Sequence, residues 1–331
     1  MDYAPLTHKK ALLDRLRPLP PSLVRNLEEW FKIELTYTSN ALEGNTLTRR
    51  ETALVIEKGL TVGGKSLTEH LEATNHSRAL DYIESLIQKR SFDFSSSDIL
   101  SIHALILRGI DDENAGRYRT VSVRISGSSV VMPNARKVPD LMDEFHTWLI
   151  QPHTLHPVAF AGEAHYRLVT IHPFVDGNGR TARLLMNLIL LSHGYPPAII
   201  RKRDRLAYIS ALEKAQLGGS RDPYDKIILQ ATNRSLDIYI NAAQGHSPMD
   251  EGDEDRNKDN LLKIGELAKA AFETVPTIRY WTSEGLLEVA DVTHSGYHLY
   301  SKAMIERCEH IKNLKMKRLT LQEIKDQLKA P

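Results

Sequence analysis

Apolar residues recur at three- and four-residue spacing through most of the first 240 positions, which predicts a succession of helices. "RETALVIEKG" and "EHLEATNHSRALDYIESLIQK" carry this period, and "SSSDILSIHALILRGI" carries it behind serines suited to capping a helix start. It continues through "VPDLMDEFHTWLI", "PVAFAGEAHYRLVTI", "RTARLLMNLILLSHG" and "RDRLAYISALEKAQ". Trp30 and Trp148 fall inside helical pattern and read as core aromatics. One stretch departs from the rule. Val121–Met132, "VSVRISGSSVVM", places β-branched residues on both sides of Gly127 and predicts a two-stranded flap.

The helical pattern stops at Gln244–Asn260, where Asp250–Asn260 alone holds six acidic and two basic residues. Such a stretch cannot bury an apolar face and reads as a linker. After it, "LLKIGELAKAAFETVPTIRYWTSEGLLEV" begins a smaller module. The expected division is a helical N-terminal region over 1–95, a core over 96–243, a linker over 244–260 and a second domain over 261–331. No repeat of fixed period is present.

Composition narrows the class. The chain has 331 residues, 41% hydrophobic and 26% charged, with a net charge of +1. That is ordinary for a globular protein and gives no global attraction to nucleic acid or membrane. The single cysteine, Cys308, excludes an intrachain disulfide and a clustered-cysteine zinc site. No run approaches the length of an apolar membrane span, and "MDYAPLTHKK" lacks a signal-peptide apolar segment, so a cytoplasmic protein is expected.

The candidate chemistry is concentrated in "HPFVDGNGRTAR", His172–Arg183. Glycines at 177 and 179 free the backbone so that successive amides can turn inward around an anion, and a helix starting near Thr181 adds its positive end. Arg180 and Arg183 are helical neighbours whose guanidinium forks match phosphate oxygens. Asp176 is placed to hold Mg²⁺, which favours a carboxylate or two plus phosphates. His172 can accept a proton from an incoming hydroxyl. A phosphate cradle, a metal carboxylate and a base are what nucleotidyl or phosphoryl transfer requires.

The run resembles the full signature of Fic-domain proteins, His-x-Phe-x-Asp/Glu-Gly-Asn-Gly-Arg-x-x-Arg, and the likeness extends over about residues 30–240. The resemblance implies transfer of AMP from ATP to a Ser, Thr or Tyr hydroxyl of a target protein or of the chain itself. It assigns His172 as general base, Asp176 to Mg²⁺, the amides of Gly177, Asn178 and Gly179 to an anion hole, Arg180 to the β-phosphate and Arg183 to the γ-phosphate. Thr181 and Ala182 complete the nucleotide-binding run, and Phe174 pins the loop to the core. Relatives that phosphorylate carry lysine where Gly179 stands, so AMP transfer is expected.

Ser39–Gly44, "SNALEG", resembles the inhibitory motif of the same family, with Ser39 and Glu43 one helical turn apart. The resemblance implies that Glu43 pairs with Arg183 and withdraws it from the γ-phosphate. In some relatives this glutamate instead serves AMP removal, so a de-AMPylase is one rival reading. Relatives also pair, which implies a possible homodimer.

Other positions are less decided. The flap residues Ser126, Gly127, Ser128, Ser129 and Val130 are expected to align a target by strand addition. Tyr208 and Gln216 lie where relatives place adenine or ribose contacts, although Tyr208 can equally face the core. His103, His165 and His193 lie in helices and read as hydrogen-bonded structural residues. Gly59–Ser66 satisfies the Walker A spacing, yet "ETALVIEK" before it reads as helix, with Gly59 as its C-terminal cap.

Residues 261–331 resemble the winged helix-turn-helix of MerR-type regulators. That implies a recognition helix at Val275–Trp281 with Thr277, Arg279 and Tyr280 against DNA, and a wing at Ser295–Tyr300. His298 stands where relatives carry arginine. Eleven Lys/Arg against nine Asp/Glu give a modest electrostatic drive. Protein docking is the competing reading of this module, and a DNA-binding regulator with a nucleotide-sensing core is the second rival for the whole chain. The fold class expected is mainly α, a Fic helical domain with a small β-hairpin flap and a C-terminal winged helix-turn-helix.

Overall fold

The computed structural model describes residues 1–88, 95–125, 127–245, 261–292, 298–316 and 321–329. It divides into two compact units, Met1–Pro248 and Met249–Pro331. The acidic stretch expected as a linker lies largely outside the described residues, as does Ser126.

The first unit is helical. Its helices are α1 (Ala4–Leu16), α2 (Pro21–Leu42), α3 (Arg49–Lys58), α4 (Leu67–Ile87), α5 (Ser96–Leu107), α6 (Val138–Ile150), α7 (Pro157–Ile171), α8 (Asn178–Ser192), α9 (Arg205–Gln216) and α10 (Asp222–Ala243). Starts of α3, α4 and α5 are capping boxes, Thr48 with Glu51, Ser66 with Glu69 and Ser95 with Asp98. Each satisfies two backbone donors that the first turn leaves open.

Helix α8 is the axis. Twelve of its fifteen residues are buried, and it packs against α7, α4, α5 and α2. A helix buried nearly all round lies in the centre of its unit. Its two faces join two cores: Leu185, Met186 and Ile189 pack with Phe145, Val158, Leu168 and Phe174, whereas Leu184 and Leu188 pack with Phe31, Leu35, Ile83 and Ile102. Because the signature run opens α8, its polar groups are anchored to the best-buried element of the unit.

The Walker-like stretch is a helix-turn-helix junction. Gly59 caps α3 in the left-handed region at φ 62°, and Ser66 is the N-cap of α4. Lys65 donates to Thr46 O and Oγ1 at 2.6 and 2.9 Å, so its ammonium closes a loop within the fold.

The flap expectation needs a correction at the level of strands. Among the described residues of 121–132 there is no strand; Ser128 N–H donates to Ile125 O across a turn at 3.2 Å. An isolated two-stranded ribbon is marginal in water, and here the backbone donor of Ser129 goes to a side chain of α9, Glu213, at 2.9 Å. The paired strands lie in the second unit.

That unit comprises β1 (Leu262–Lys263), α11 (Ile264–Ala270), α12 (Val275–Ser283), β2 (Asp291–Val292), β3 (His298–Tyr300), α13 (Ala303–Met316) and α14 (Leu321–Lys329). The strands form an antiparallel sheet in the order β1-β3-β2, with Leu262 opposite Tyr300 and Asp291 opposite Leu299. Leu267, Ile278, Trp281, Tyr300, Cys308 and Ile311 form its core. Of the expected wing, residues 298–300 are the strand β3, while 295–297 lie outside the described residues. No helix among the described residues is long and apolar enough to cross a membrane.

Candidate active site

The site is the turn between α7 and α8. His172 ends α7 in the left-handed region at φ 51°, an uncommon conformation for a residue with a side chain. Its carbonyl accepts from Arg119 Nε at 2.7 Å, which ties the strained residue in place. Arg119 is buried and also donates to Val121 O at 3.1 Å and Pro133 O at 2.7 Å. One guanidinium thus joins both roots of the flap to the turn that carries the imidazole.

His172 Nδ1 lies 3.3 Å from Val169 O. A carbonyl only accepts, so the contact places the ring proton on Nδ1 and leaves the lone pair on Nε2. Burial pushes the imidazole below its ordinary value, partly offset by the Val169 bond and the nearby carboxylates of Glu43 and Asp176. A neutral ring at physiological pH is a competent proton acceptor.

The turn is braced from within. Asn178 Oδ1 accepts from Phe174 N–H at 2.9 Å, and Asn178 Nδ2 donates to Phe174 O at 2.9 Å. Phe174 is fully buried and stacks on His103 with centroids 3.6 Å apart. His103 accepts from Gly116 N–H at Nδ1 and donates from Nε2 to Asp176 O, both at 2.9 Å. Desolvation holds this imidazole at about 4, so it stays neutral. Gly177 sits at φ 74°, and a Cβ there would press on His103 and Ile106 at 3.3 Å. The first bond of α8 runs from Thr181 N–H to Gly177 O at 2.9 Å. The amides of Asn178, Gly179 and Arg180 precede it and carry the positive end of the helix.

Both arginines are held by carboxylates from far along the chain. Arg183 is buried; Nη2 donates to Glu43 Oε1 at 2.7 Å and to Ser39 O at 2.9 Å, and Nε donates to Ser39 Oγ at 2.9 Å. Arg180 donates from Nη1 to Glu72 Oε1 at 2.9 Å and from Nη2 to Asp176 Oδ2 at 3.0 Å. Glu72 also accepts from Asn45 Nδ2 at 2.8 Å, and its carbonyl accepts from Asn40 at 3.2 Å. It links Arg180 to the end of the Ser39–Glu43 helix.

A cavity of about 370 Å³ opens over the turn. Its walls are Leu42 and Glu43 from the end of α2, Arg124, Ile125 and Ser128 from the flap, His172 and Val175–Gly179 from the turn, Arg183 from α8, and Arg205, Tyr208, Leu212, Glu213 and Gln216 from α9. Glu213 pins the flap over this space, accepting from Ser128 Oγ and Ser129 N–H at 2.9 Å each. Val130 N–H turns back to Ser128 Oγ at 3.1 Å, and Gly127 occupies the turn at φ 78°.

Several expected contacts sit differently. Thr181 and Ala182 are fully buried and belong to the helix core, away from the cavity wall. Arg180 is also buried and outside that wall, facing Glu72 and the Asp176 side chain. Tyr208 lines the cavity, but its hydroxyl meets His165 Nε2 at 2.8 Å. Gln216 lines the cavity with its amide near Thr170 Oγ1 at 3.3 Å. Glu72, Arg119 and Glu213 were not singled out in the sequence; each acts across more than fifty residues, so no local spacing reveals them.

The family model described as Fic/DOC family matches residues 93–190, across the flap and the turn. A Fic-domain signalling protein from Bacteroides thetaiotaomicron is similar in structure, 30% identical with a TM-score of 0.69, covering 74% of this chain and 99% of its own. The chain belongs to the Fic family. Fic-1 from C. elegans is a second similar structure, 33% identical with a TM-score of 0.67 and 73% of each chain covered. A protein adenylyltransferase Fic from Nematostella vectensis is 42% identical over 206 residues, which are 62% of this chain and 48% of that protein. The chain spans about half the length of the curated relatives it matches. Residues 262–330 match the model of MerR HTH family regulatory proteins, so the sequence of this Fic protein continues into a helix-turn-helix module.

In that second unit Arg279 and Tyr280 are exposed on α12, and Thr277 N–H caps onto Thr274 Oγ1 at 3.3 Å.

Proposed function

We propose that this Fic protein is an autoinhibited protein adenylyltransferase that moves AMP from ATP to a Ser, Thr or Tyr hydroxyl of a target protein or of itself. One observation carries the reading. The last arginine of the phosphate-binding run is held by Glu43, 140 residues away, at the wall of a cavity that also exposes His172.

In the active state the triphosphate takes the guanidinium of Arg183 from Glu43, and the amides at the start of α8 face the α- and β-phosphates. His172 Nε2 accepts the hydroxyl proton while the oxygen bonds to the α-phosphorus and pyrophosphate leaves. The target main chain lies against Gly127–Val130, whose position Glu213 sets. Asp176 suits Mg²⁺: its side chain is 66% exposed and stands next to the turn, and this ion needs only a carboxylate or two when phosphates supply the other oxygens. Bound there, Mg²⁺ would neutralise phosphate charge. Arg180, tied to Glu72, steadies the Asp176 side chain from behind.

The experiment is incubation with ATP labelled at the α-phosphate. The Glu43→Gly variant is expected to label protein strongly, wild type weakly, and Glu43→Gly with His172→Ala not at all. An unlabelled Glu43→Gly variant would sink the proposal.

For residues 261–331 the MerR match and the exposed Arg279 and Tyr280 support duplex DNA as the ligand. Fluorescence anisotropy with duplex DNA should show salt-dependent binding that Arg279→Ala weakens, lowering the salt slope by roughly one. Binding only to protein would favour the docking reading instead. Residence in the cytoplasm fits both activities and is testable by fractionation.

A further inference from the structure

His103 is fully buried in α5, yet both of its ring nitrogens are spent on backbone groups of other segments, each at 2.9 Å. The Gly116 N–H can only donate, so Nδ1 accepts and the ring proton sits on Nε2, which donates to Asp176 O. The Gly116 side of this pair is itself fixed. A Cβ on Gly116 would meet Ala104 Cβ at 3.0 Å and Leu100 O at 3.1 Å, so that turn lies directly on α5. The plane of the ring is fixed as well, by Phe174 stacked at 6° to it. The hydrogen on Nε2 is therefore aimed in one direction, at the Asp176 carbonyl.

That carbonyl belongs to the peptide whose other polar group is the Gly177 N–H. A trans peptide is planar with C=O and N–H on opposite sides, so this amide is turned away from His103. Asp176 and Gly177 line the cavity, and His103 lies outside its wall. Gly177 has no Cβ, so the peptide plane can flip at little steric cost, and the flipped plane would aim a carbonyl at the phosphates instead of a donor. The bond from His103 decides between the two orientations.

We propose that His103 is a positioning residue that orients the Asp176–Gly177 peptide so that the Gly177 amide faces the nucleotide phosphates. The inference rests on the adenylyl-transfer reading and deepens it, adding a group that acts on the anion-binding turn from behind without touching the ligand. The same bond fastens the main chain of Asp176, whose side chain Arg180 holds from the other side.

The test uses the full chain carrying Glu43→Gly, with His103→Asn or His103→Gln added. Asparagine puts an acceptor near the place of Nδ1 for the Gly116 N–H but cannot reach Asp176. Glutamine puts a donor near the place of Nε2 and can still bond Asp176 O. Both lose the ring stacked on Phe174, so the difference between them reads the Asp176 bond. His103→Asn is expected to lower kcat for labelling roughly a hundredfold, the scale of one misdirected amide donor, and His103→Gln to keep most of the parent rate. Equal rates in the two variants, or the larger loss in His103→Gln, overturn the proposal. A second readout needs no turnover. On addition of an ATP analogue with a methylene bridge between the α- and β-phosphates, the Gly177 amide resonance should move downfield in the parent and in His103→Gln, and hold its place in His103→Asn. A Gly177 amide that responds alike in all three chains overturns the proposal too. If the Glu43→Gly chain binds the analogue but labels no protein, adenylyl transfer fails while the Gly177 resonance still decides the role of His103.

Discussion

The carboxylate of Glu43 occupies the space that a side chain on Gly179 would need: a Cβ at 179 would overlap Glu43 Oε1 and crowd Arg183 Nη1 at 3.0 Å. The missing side chain at the second residue of α8 is what lets the N-terminal helix reach the arginine. Gly179→Ala should unseat Glu43 and raise basal labelling, approaching a gain of roughly ten- to a hundredfold if the whole charge-assisted contact is lost. In a Glu43→Gly background the same change should add nothing. A gain that persists there would show that Gly179 acts on the nucleotide rather than on Glu43.

Glu72 is a carboxylate partner of a buried cation. Glu72→Ala leaves Arg180, 2% exposed, with Asp176 alone, and should destabilise the first unit by ~2–4 kcal/mol in urea unfolding. Glu72→Gln, which keeps one acceptor, should cost clearly less. Equal midpoints for wild type and Glu72→Ala would remove the buried pair from the account.

The pH profile reports on His172. Burial lowers its value while Glu43 and Asp176 raise it. The base must be neutral, so transfer should fall on the acid side with a midpoint below the ordinary imidazole value of about 6.5. Glu43→Gly removes one raising charge, and its acid limb should lie lower still. A limb in Glu43→Gly at or above the wild-type position would contradict this arrangement.

Three buried imidazoles tie the fold to pH. His76 is held at about 3, His103 at about 4 and His165 at about 3, each chiefly by desolvation. In the unfolded chain each binds a proton near pH 6.5. Below that pH the unfolded state gains protons that the folded state refuses, so stability is full above about 6.5 and declines as pH falls towards 4. Urea midpoints should drop between about pH 7 and 5, with each of these residues taking up nearly one proton from solvent on unfolding at the lower pH. A midpoint that does not move over this range would count against three buried neutral rings.

The turn from His172 to Arg183 was legible because its groups are contiguous and the glycines mark where amides open. Helices were legible from their period, and the Walker-like spacing was readable as a cap because Gly59 follows helical pattern. Glu43 was reached only through the resemblance, since nothing in "SNALEG" by itself points 140 residues onward to Arg183. Glu72, His103, Arg119 and Glu213 lie 108, 73, 53 and 85 residues from the groups they hold, and such pairings come from tertiary packing. The flap misled in one respect. β-branched residues predict pairing, but Arg119 and Glu213 take up its polar atoms before a ladder can form.

Arg119 separates a fixed part of the site from a changeable one. The imidazole and the opening of α8 are fastened at both ends by buried helices, whereas between the roots that Arg119 grips the flap carries side chains as open as Val131, 90% exposed. Under the adenylyl-transfer proposal, substitutions along that outer rim should retune which polypeptide is received without disturbing the group that is handed over.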